Sequence, residues 1–284
     1  MKILFIDNWI HPKNLNALRL YKKVRFYIIK LTHLNEVDLS LYDGVYSPSE
    51  PVDVSKYSKT QWVFGPHFSV FPDDKLKMIP SENTSYLVLS KWTKTLWENV
   101  GIPGGITLVD IPFAVDVKKF CEIKPICDRN KVFIYYKSRD PFELQCLEAA
   151  LTANNIEYKL FHYEKKYDEA DYLAYLQQAK FGIWLGRHES QGFALEEALS
   201  CNVPLLVWNV SSLNQEYGQK YPDMYATTIP YWDERCGEYF CGHCELVSKL
   251  DIFLSKLHTY RPREYVLENL SQEVCEKRFM NLFA

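Results

Sequence analysis

The stretch Phe181–Asn209 runs FGIWLGRHESQGFALEEALSCNVPLLVWN. Phe181–Leu185 has the length and apolar content of a buried strand. It gives way to Gly186-Arg187-His188-Glu189, after which Phe193 to about Cys201 predicts a helix. Pro204–Trp208 is a second buried strand. Strand, loop, helix and strand in that order make a parallel βαβ unit. The helix opens at Gln191-Gly192-Phe193. A helix start after a strand presents unpaired N–H groups and the positive end of the dipole, a ready site for an anion such as a diphosphate. Gly192 lets a ligand come close to the backbone. Glu189 sits in the loop and Glu197 about a turn inside the helix. Both then face the carboxyl end of the sheet, where open α/β sheets bind ligands. Carboxylates accept from paired hydroxyls, so two at this spacing suit a donor carrying a ribose and a hexose. Asn202, which tolerates left-handed geometry, closes the helix.

The same alternation extends in both directions. Upstream, strands are predicted at Lys2–Ile6, Gly44–Tyr46, Thr60–Phe64, Tyr86–Ser90 and Ile106–Ile111. Helices are predicted at about Asn14–Lys23 and at Lys91–Val100, the latter stopping at Gly101-Ile102-Pro103. A polar stretch without period, Cys121–Asn130, follows. The alternation then restarts: strand Val132–Tyr136, helix Phe142–Asn154, strand Tyr158–His162, helix Glu169–Gln178. A short helix is expected near Leu213–Tyr217 and a final helical stretch at Arg263–Leu282. The expected organisation is a first Rossmann-like domain over 1–125, a second over 126–260, and a C-terminal helix over 261–284 packing back on them. The fold class is α/β, two Rossmann-like domains facing across a cleft.

Composition narrows the function. With 47% hydrophobic residues the chain can build sizeable cores. Its net charge of −3 supplies no field for nucleic acid, so none is expected as a partner. No apolar run reaches the ~18 residues of a membrane span, and no signal-peptide pattern opens the chain, so a cytoplasmic location is expected. The eight cysteines are then expected to be thiols. Cys236, Cys241, His243 and Cys244 fall within nine residues, two of them adjacent, a poor set for surrounding one zinc ion.

The Glu189-x7-Glu197 pattern, with Gly192-Phe193-Ala194-Leu195 inside and Ala198-Leu199-Ser200-Cys201-Asn202-Val203-Pro204 behind, resembles family-four retaining glycosyltransferases of the GT-B fold. Val88-Leu89-Ser90-Lys91-Trp92-Thr93 resembles the family's strand-to-helix segment. Ile111-Pro112-Phe113-Ala114-Val115-Asp116, with Phe120 behind it, resembles its Pro-Asn-Gly-Val-Asp segment. The three occur in the family's order, and the resemblance covers roughly residues 86–284. It implies transfer of a hexose from a nucleoside diphosphate sugar to an acceptor hydroxyl of a glycan, lipid or protein, with retention at the anomeric carbon. It implies that Glu197 holds the donor ribose and Glu189 the transferred sugar, while the backbone of Gln191, Gly192, Phe193 and Ala194 contacts sugar and diphosphate. Lys137 and Arg139, at the end of the second domain's first strand, are expected to neutralise the leaving diphosphate. On a plainer reading they are solvated charges. His67 is expected to face the reacting carbon, or on the plainer reading to be a hydrogen-bonded loop histidine.

Two departures stand out. The first domain is short, and Asn8, Trp9, His11, Pro12 and Lys13 replace the glycine-rich loop after its first strand. The alternative to an enzyme is therefore a nucleotide-sugar-binding module that has lost transfer. No Asp-x-Asp occurs, so neither a metal nor another cofactor is expected; no Walker or Gly-x-Gly-x-x-Gly sequence occurs either.

Overall fold

The computed structural model describes residues 1–57, 59–67, 69–73, 76, 83–102 and 106–284. The chain divides into two compact units, Met1–Ala114 with Leu270–Ala284, and Val115–Asn269.

The first unit carries β1 (Lys2–Ile6), β2 (Arg25–Ile29), β3 (Gly44–Ser47), β4 (Trp62–Phe64), β5 (Thr84–Val88) and β6 (Thr107–Asp110). They form one sheet in the order β2-β1-β3-β4-β5-β6, every neighbour parallel. Ile3, Leu4, Phe5 and Ile6 are all buried, as expected of a central parallel strand covered on both faces. Helix α1 (Pro12–Leu20) follows β1 and helix α2 (Lys91–Val100) follows β5. At the start of α2 the Ser90 N–H donates to Thr93 Oγ1 at 3.2 Å, and Gly101 ends it with φ of +92°. Pro103, the other half of the expected stop, lies outside the described residues. Among the described residues from β2 to β4, the connections contain 3-10 turns at Leu31–Glu36, Leu39–Leu41 and Ser55–Tyr57 and no longer helix. The first unit's sheet is thus six strands wide, with short crossovers from β2 to β4.

The second unit carries β7 (Lys131–Lys137), β8 (Lys159–His162), β9 (Ala179–Gly186), β10 (Leu205–Trp208) and β11 (Gly237–Phe240). Between and after them run α3 (Pro141–Ala153), α4 (Glu169–Leu176), α5 (Phe193–Ser200), α6 (Leu246–Lys256) and α7 (Pro262–Asn269). The sheet is parallel, ordered β8-β7-β9-β10-β11. One core joins Ile134, Ile183, Leu185 and Leu206 of the sheet to Leu147 and Leu151 of α3 and Leu250 and Phe253 of α6. Adjacent strands also fit by shape. Tyr135 stacks on its partner Trp184 at 3.9 Å between centroids, and the Phe133 ring fills the space a Cβ on its partner Gly182 would need. The unit begins at Val115, ahead of the polar stretch. Buried Phe120 is tied into it, its carbonyl accepting from Ser200 Oγ at 2.6 Å and from Arg263 Nη1 at 3.1 Å.

The C-terminal stretch is two helices where one was expected, α7 and α8 (Gln272–Met280), broken at Leu270-Ser271. Helix α8 belongs to the first unit. Its Phe279 packs edge-on or tilted against Tyr21, Phe26 and Tyr46, and the Phe283 ring lies where a Cβ on Gly44 would stand.

In the second sheet the chain leaves β7 for β8 on one side and returns to β9 on the other. The carboxyl ends of β7 and β9 therefore diverge, and such a switch point is where open α/β sheets receive ligands.

Candidate functional site

Lys137 is the last residue of β7, and Gly186 the last of β9, at the two lips of that crevice. The Arg187 N–H donates to Lys137 O at 2.9 Å, continuing the ladder one step past β9. That pairing brings the following loop, which holds Glu189, across the end of β7. The Lys137 ammonium meets Glu189 Oε1 at 2.5 Å and lies 4.4 Å from the centroid of the half-exposed Tyr163 ring. The loop is fixed from behind. Glu189 N–H donates to Thr227 O at 3.0 Å, Thr228 Oγ1 donates to Gly186 O at 3.1 Å, and Asn209 Oδ1 accepts from Thr228 N–H at 2.7 Å.

Gly192 caps α5 with φ of +93° and ψ of +45°, left-handed geometry that a side chain makes costly. Phe193 and Ala194 are half-buried at the helix start, and Tyr172 Oη donates to Ala194 O at 2.9 Å. Gln191 is buried, its Nε2 donating to Glu196 Oε2 at 2.9 Å. Glu196 is fully buried, and burial raises its carboxyl well above the ordinary range, with Glu197 and Glu189 adding to the shift. Glu197, the next residue, is also buried. At the far end Asn202 adopts φ of +59°, the left-handed closure its residue type permits.

Arg187 and His188, which flank the site in the sequence and could there equally pack or bridge, both belong to this cluster. Arg187 Nη1 donates to Glu216 Oε2 at 3.0 Å; burial opposes its charge, but Glu189 and Glu216 outweigh burial and hold it charged. Burial, then the charges of Arg187 and Lys137, push buried His188 down to about 3, so it is neutral at pH 7. The cluster is therefore two cations against two carboxylates beside a helix start. An incoming diphosphate can take a carboxylate's place on a cation, and the released carboxylate can accept sugar hydroxyls.

One plainer reading needs correction. Neither Lys137 nor Arg139 is a solvated strand-end charge, because both are buried. Arg139, moreover, is committed within the protein. Its Nε and Nη2 fork onto Glu143 at 2.8 and 2.6 Å, and Nη1 donates to Gly186 O at 3.1 Å and Trp208 O at 2.8 Å. This is a clamp tying β9 and β10 to the start of α3. His67, in the first unit, is likewise engaged on both ring nitrogens. Nδ1 pairs with the Tyr86 hydroxyl and Nε2 with Phe71 O at 3.2 Å, while burial lowers its pKa. These bonds are those of the hydrogen-bonded loop histidine of the plainer reading.

No protein-family model matches the chain, and no curated protein matches it. Solved structures do. AviGT4, a glycosyltransferase involved in avilamycin A biosynthesis, superposes with a TM-score of 0.61 at 11% identity, over 100% of this chain and 97% of that one. Sucrose-phosphate synthase from Thermosynechococcus elongatus gives 0.54 at 11% identity, over 100% and 98%. TarM gives 0.54 at 13% identity, over 89% of this chain and 57% of its own. At such identities the likeness is one of fold, and that fold, two parallel sheets with flanking helices, is the GT-B fold of glycosyltransferases.

Proposed function

We propose that this chain is a glycosyltransferase that moves a hexose from a nucleoside diphosphate sugar to an acceptor hydroxyl, with retention at the anomeric carbon. The observation that carries the reading is the Lys137–Glu189 pair, set at the β7/β9 switch point beside the start of α5. In this scheme the diphosphate lies against the α5 N–H groups and draws Lys137 away from Glu189, which turns to the hydroxyls of the sugar. Negative charge grows on the diphosphate as the glycosidic bond breaks, so a cation fixed there lowers the barrier. Glu197 holds the ribose. The Gln191–Glu196 bond keeps the loop in register under the donor. One observation favours the alternative of a binding module without transfer: both nitrogens of His67 are already engaged. Donor hydrolysis separates the two. An active enzyme slowly releases free sugar from a nucleotide sugar when no acceptor is present, and a pure binder releases none.

Glu197→Gln, which keeps the volume of this buried position, is expected to weaken nucleoside diphosphate binding at least tenfold. A charge-assisted bond to a ribose hydroxyl contributes ~1.5–3 kcal/mol, and ~1.4 kcal/mol is one decade. Unchanged affinity by calorimetry would remove Glu197 from the donor site. Transfer is also expected to withstand chelation. Lys137 and the α5 amides are in place before the donor arrives, so excess EDTA should leave the rate within about twofold, less than ~1 kcal/mol of barrier. Collapse of the rate, with recovery on adding magnesium or manganese, would replace the metal-free scheme.

A further inference from the structure

One motif of the second unit lies outside this scheme. Residues 241–244, Cys-Gly-His-Cys, join β11 to α6 through the 3-10 turn His243–Glu245. All eight cysteines are free thiols; Cys241 and Cys244 are exposed, while Cys236, just before β11, is fully buried. The three thiols seen in the sequence as one cluster therefore separate. What remains is a Cys-x-x-Cys pair at a strand-to-helix turn, the spacing that thiol–disulfide exchange uses.

The turn that carries the pair is folded tightly. Glu245 Oε2 accepts from the N–H groups of Cys241 at 3.2 Å and Gly242 at 2.8 Å, folding the segment back on itself. Cys244 Sγ lies 3.6 Å from where a Cβ on Gly242 would stand, over the residue next to Cys241. The backbone is anchored on the other side, with Trp208 Nε1 donating to Cys241 O at 3.1 Å and His243 stacked on Phe142.

We propose that Cys241 and Cys244 form a redox-active dithiol that closes reversibly to an intramolecular disulfide. The oxidant is a low-molecular-weight disulfide. One protein thiolate attacks a sulfur of the oxidant, breaking its S–S bond and releasing one small thiolate. The second protein thiolate then attacks the mixed disulfide, forms the Cys241–Cys244 bond and releases the other small thiolate. The protein gives up two electrons and two protons, and the oxidant becomes two thiols. Burial and the Glu245 carboxylate push the Cys241 thiol up, against the opposing charge of Arg139. Attack by Cys241 is slowed accordingly, because the thiolate is the nucleophile.

The test uses the whole folded chain and oxidised glutathione, followed by alkylation and tryptic digestion. The peptide Cys236–Lys249 carries all three thiols. The expected product has lost the mass of two hydrogens through a 241–244 bond, leaves Cys236 reduced, and returns to the dithiol on adding dithiothreitol. Cys241→Ser and Cys244→Ser, both at exposed positions, should each fold as the parent does by circular dichroism. Each should stop at a single glutathione adduct on the cysteine that remains. The proposal is overturned if the parent keeps both thiols, collects a separate glutathione on each, or closes through Cys236. The result is independent of whether the chain transfers sugar.

Discussion

Replacing Lys137 by methionine is expected to lower transfer, or acceptor-free donor hydrolysis, by ~10²-fold or more. Removing one preorganised donor from a developing anion costs that much where water is excluded, and Lys137 is buried with its Nζ 2.5 Å from Glu189 Oε1. Methionine keeps most of the stem that packs beside Tyr163 and removes only the charge. Some stability is lost as well, since Glu189 keeps a carboxylate in a largely buried place with Arg187 as its remaining cation. That loss is expected to be about 1–3 kcal/mol. The two effects separate in the double variant Lys137→Met with Glu189→Gln. Removing the charge of that carboxylate should recover most of the melting temperature and none of the turnover. If Lys137→Met retains activity within about threefold, under 1 kcal/mol of barrier, the diphosphate is neutralised elsewhere, and Arg187 is the cation next to it.

The parts of the fold and site that were legible follow from local physics. Apolar runs bounded by turn residues located β1, β7, β9 and β10, and Gly192 before an apolar helical segment located the start of α5. Of the strands at the sheet edges, β6 and β8 were legible, and β2 and β11 were not. Arg25–Ile29 and Gly237–Phe240 are short, and β2 leaves Ile28 exposed, so neither carries the unbroken apolar signature of a central strand. The break at Leu270-Ser271 was hidden because the apolar spacing of α7 runs on toward α8; what divides them is that Phe279 and Phe283 are needed in the first unit's core. At the site, residue type showed that cations and carboxylates gather near a helix start. It did not show their pairing. Lys137 and Arg139 are two residues apart in sequence, and only the strand ladder shows that one reaches Glu189 while the other turns onto Glu143 and two strand carbonyls. Glu196 was passed over for the same reason. Next to Glu197 it reads as a solvated helix residue, and its complete burial appears only once the unit is assembled.

That division of labour gives the largest expected effect on stability. Arg139→Ala removes both donors of the Glu143 fork and one donor each from the carbonyls of Trp208 and Gly186, the latter keeping Thr228 Oγ1. Breaking a buried, hydrogen-bonded ion pair by deleting one member costs about 3–5 kcal/mol, and the Glu143 side chain stays largely buried while that of Arg139 is 1% exposed. At roughly 2–4 °C per kcal/mol for a domain of this size, the melting temperature should fall by about 10 °C. Arg139→Lys should recover little of it, because a point ammonium cannot fork onto a carboxylate and reach two carbonyls at once. Glu143→Gln should cost less than Arg139→Ala, since it keeps an acceptor for the guanidinium and leaves both strand carbonyls bonded. At a temperature well below the transition, the surviving folded fraction of Arg139→Ala should turn over donor at a rate much closer to the parent's than Lys137→Met does. Thermal melts and rates measured on the same preparations decide the matter: an Arg139→Ala protein that melts with the parent but has lost turnover would return Arg139 to the diphosphate and end its role as a clamp.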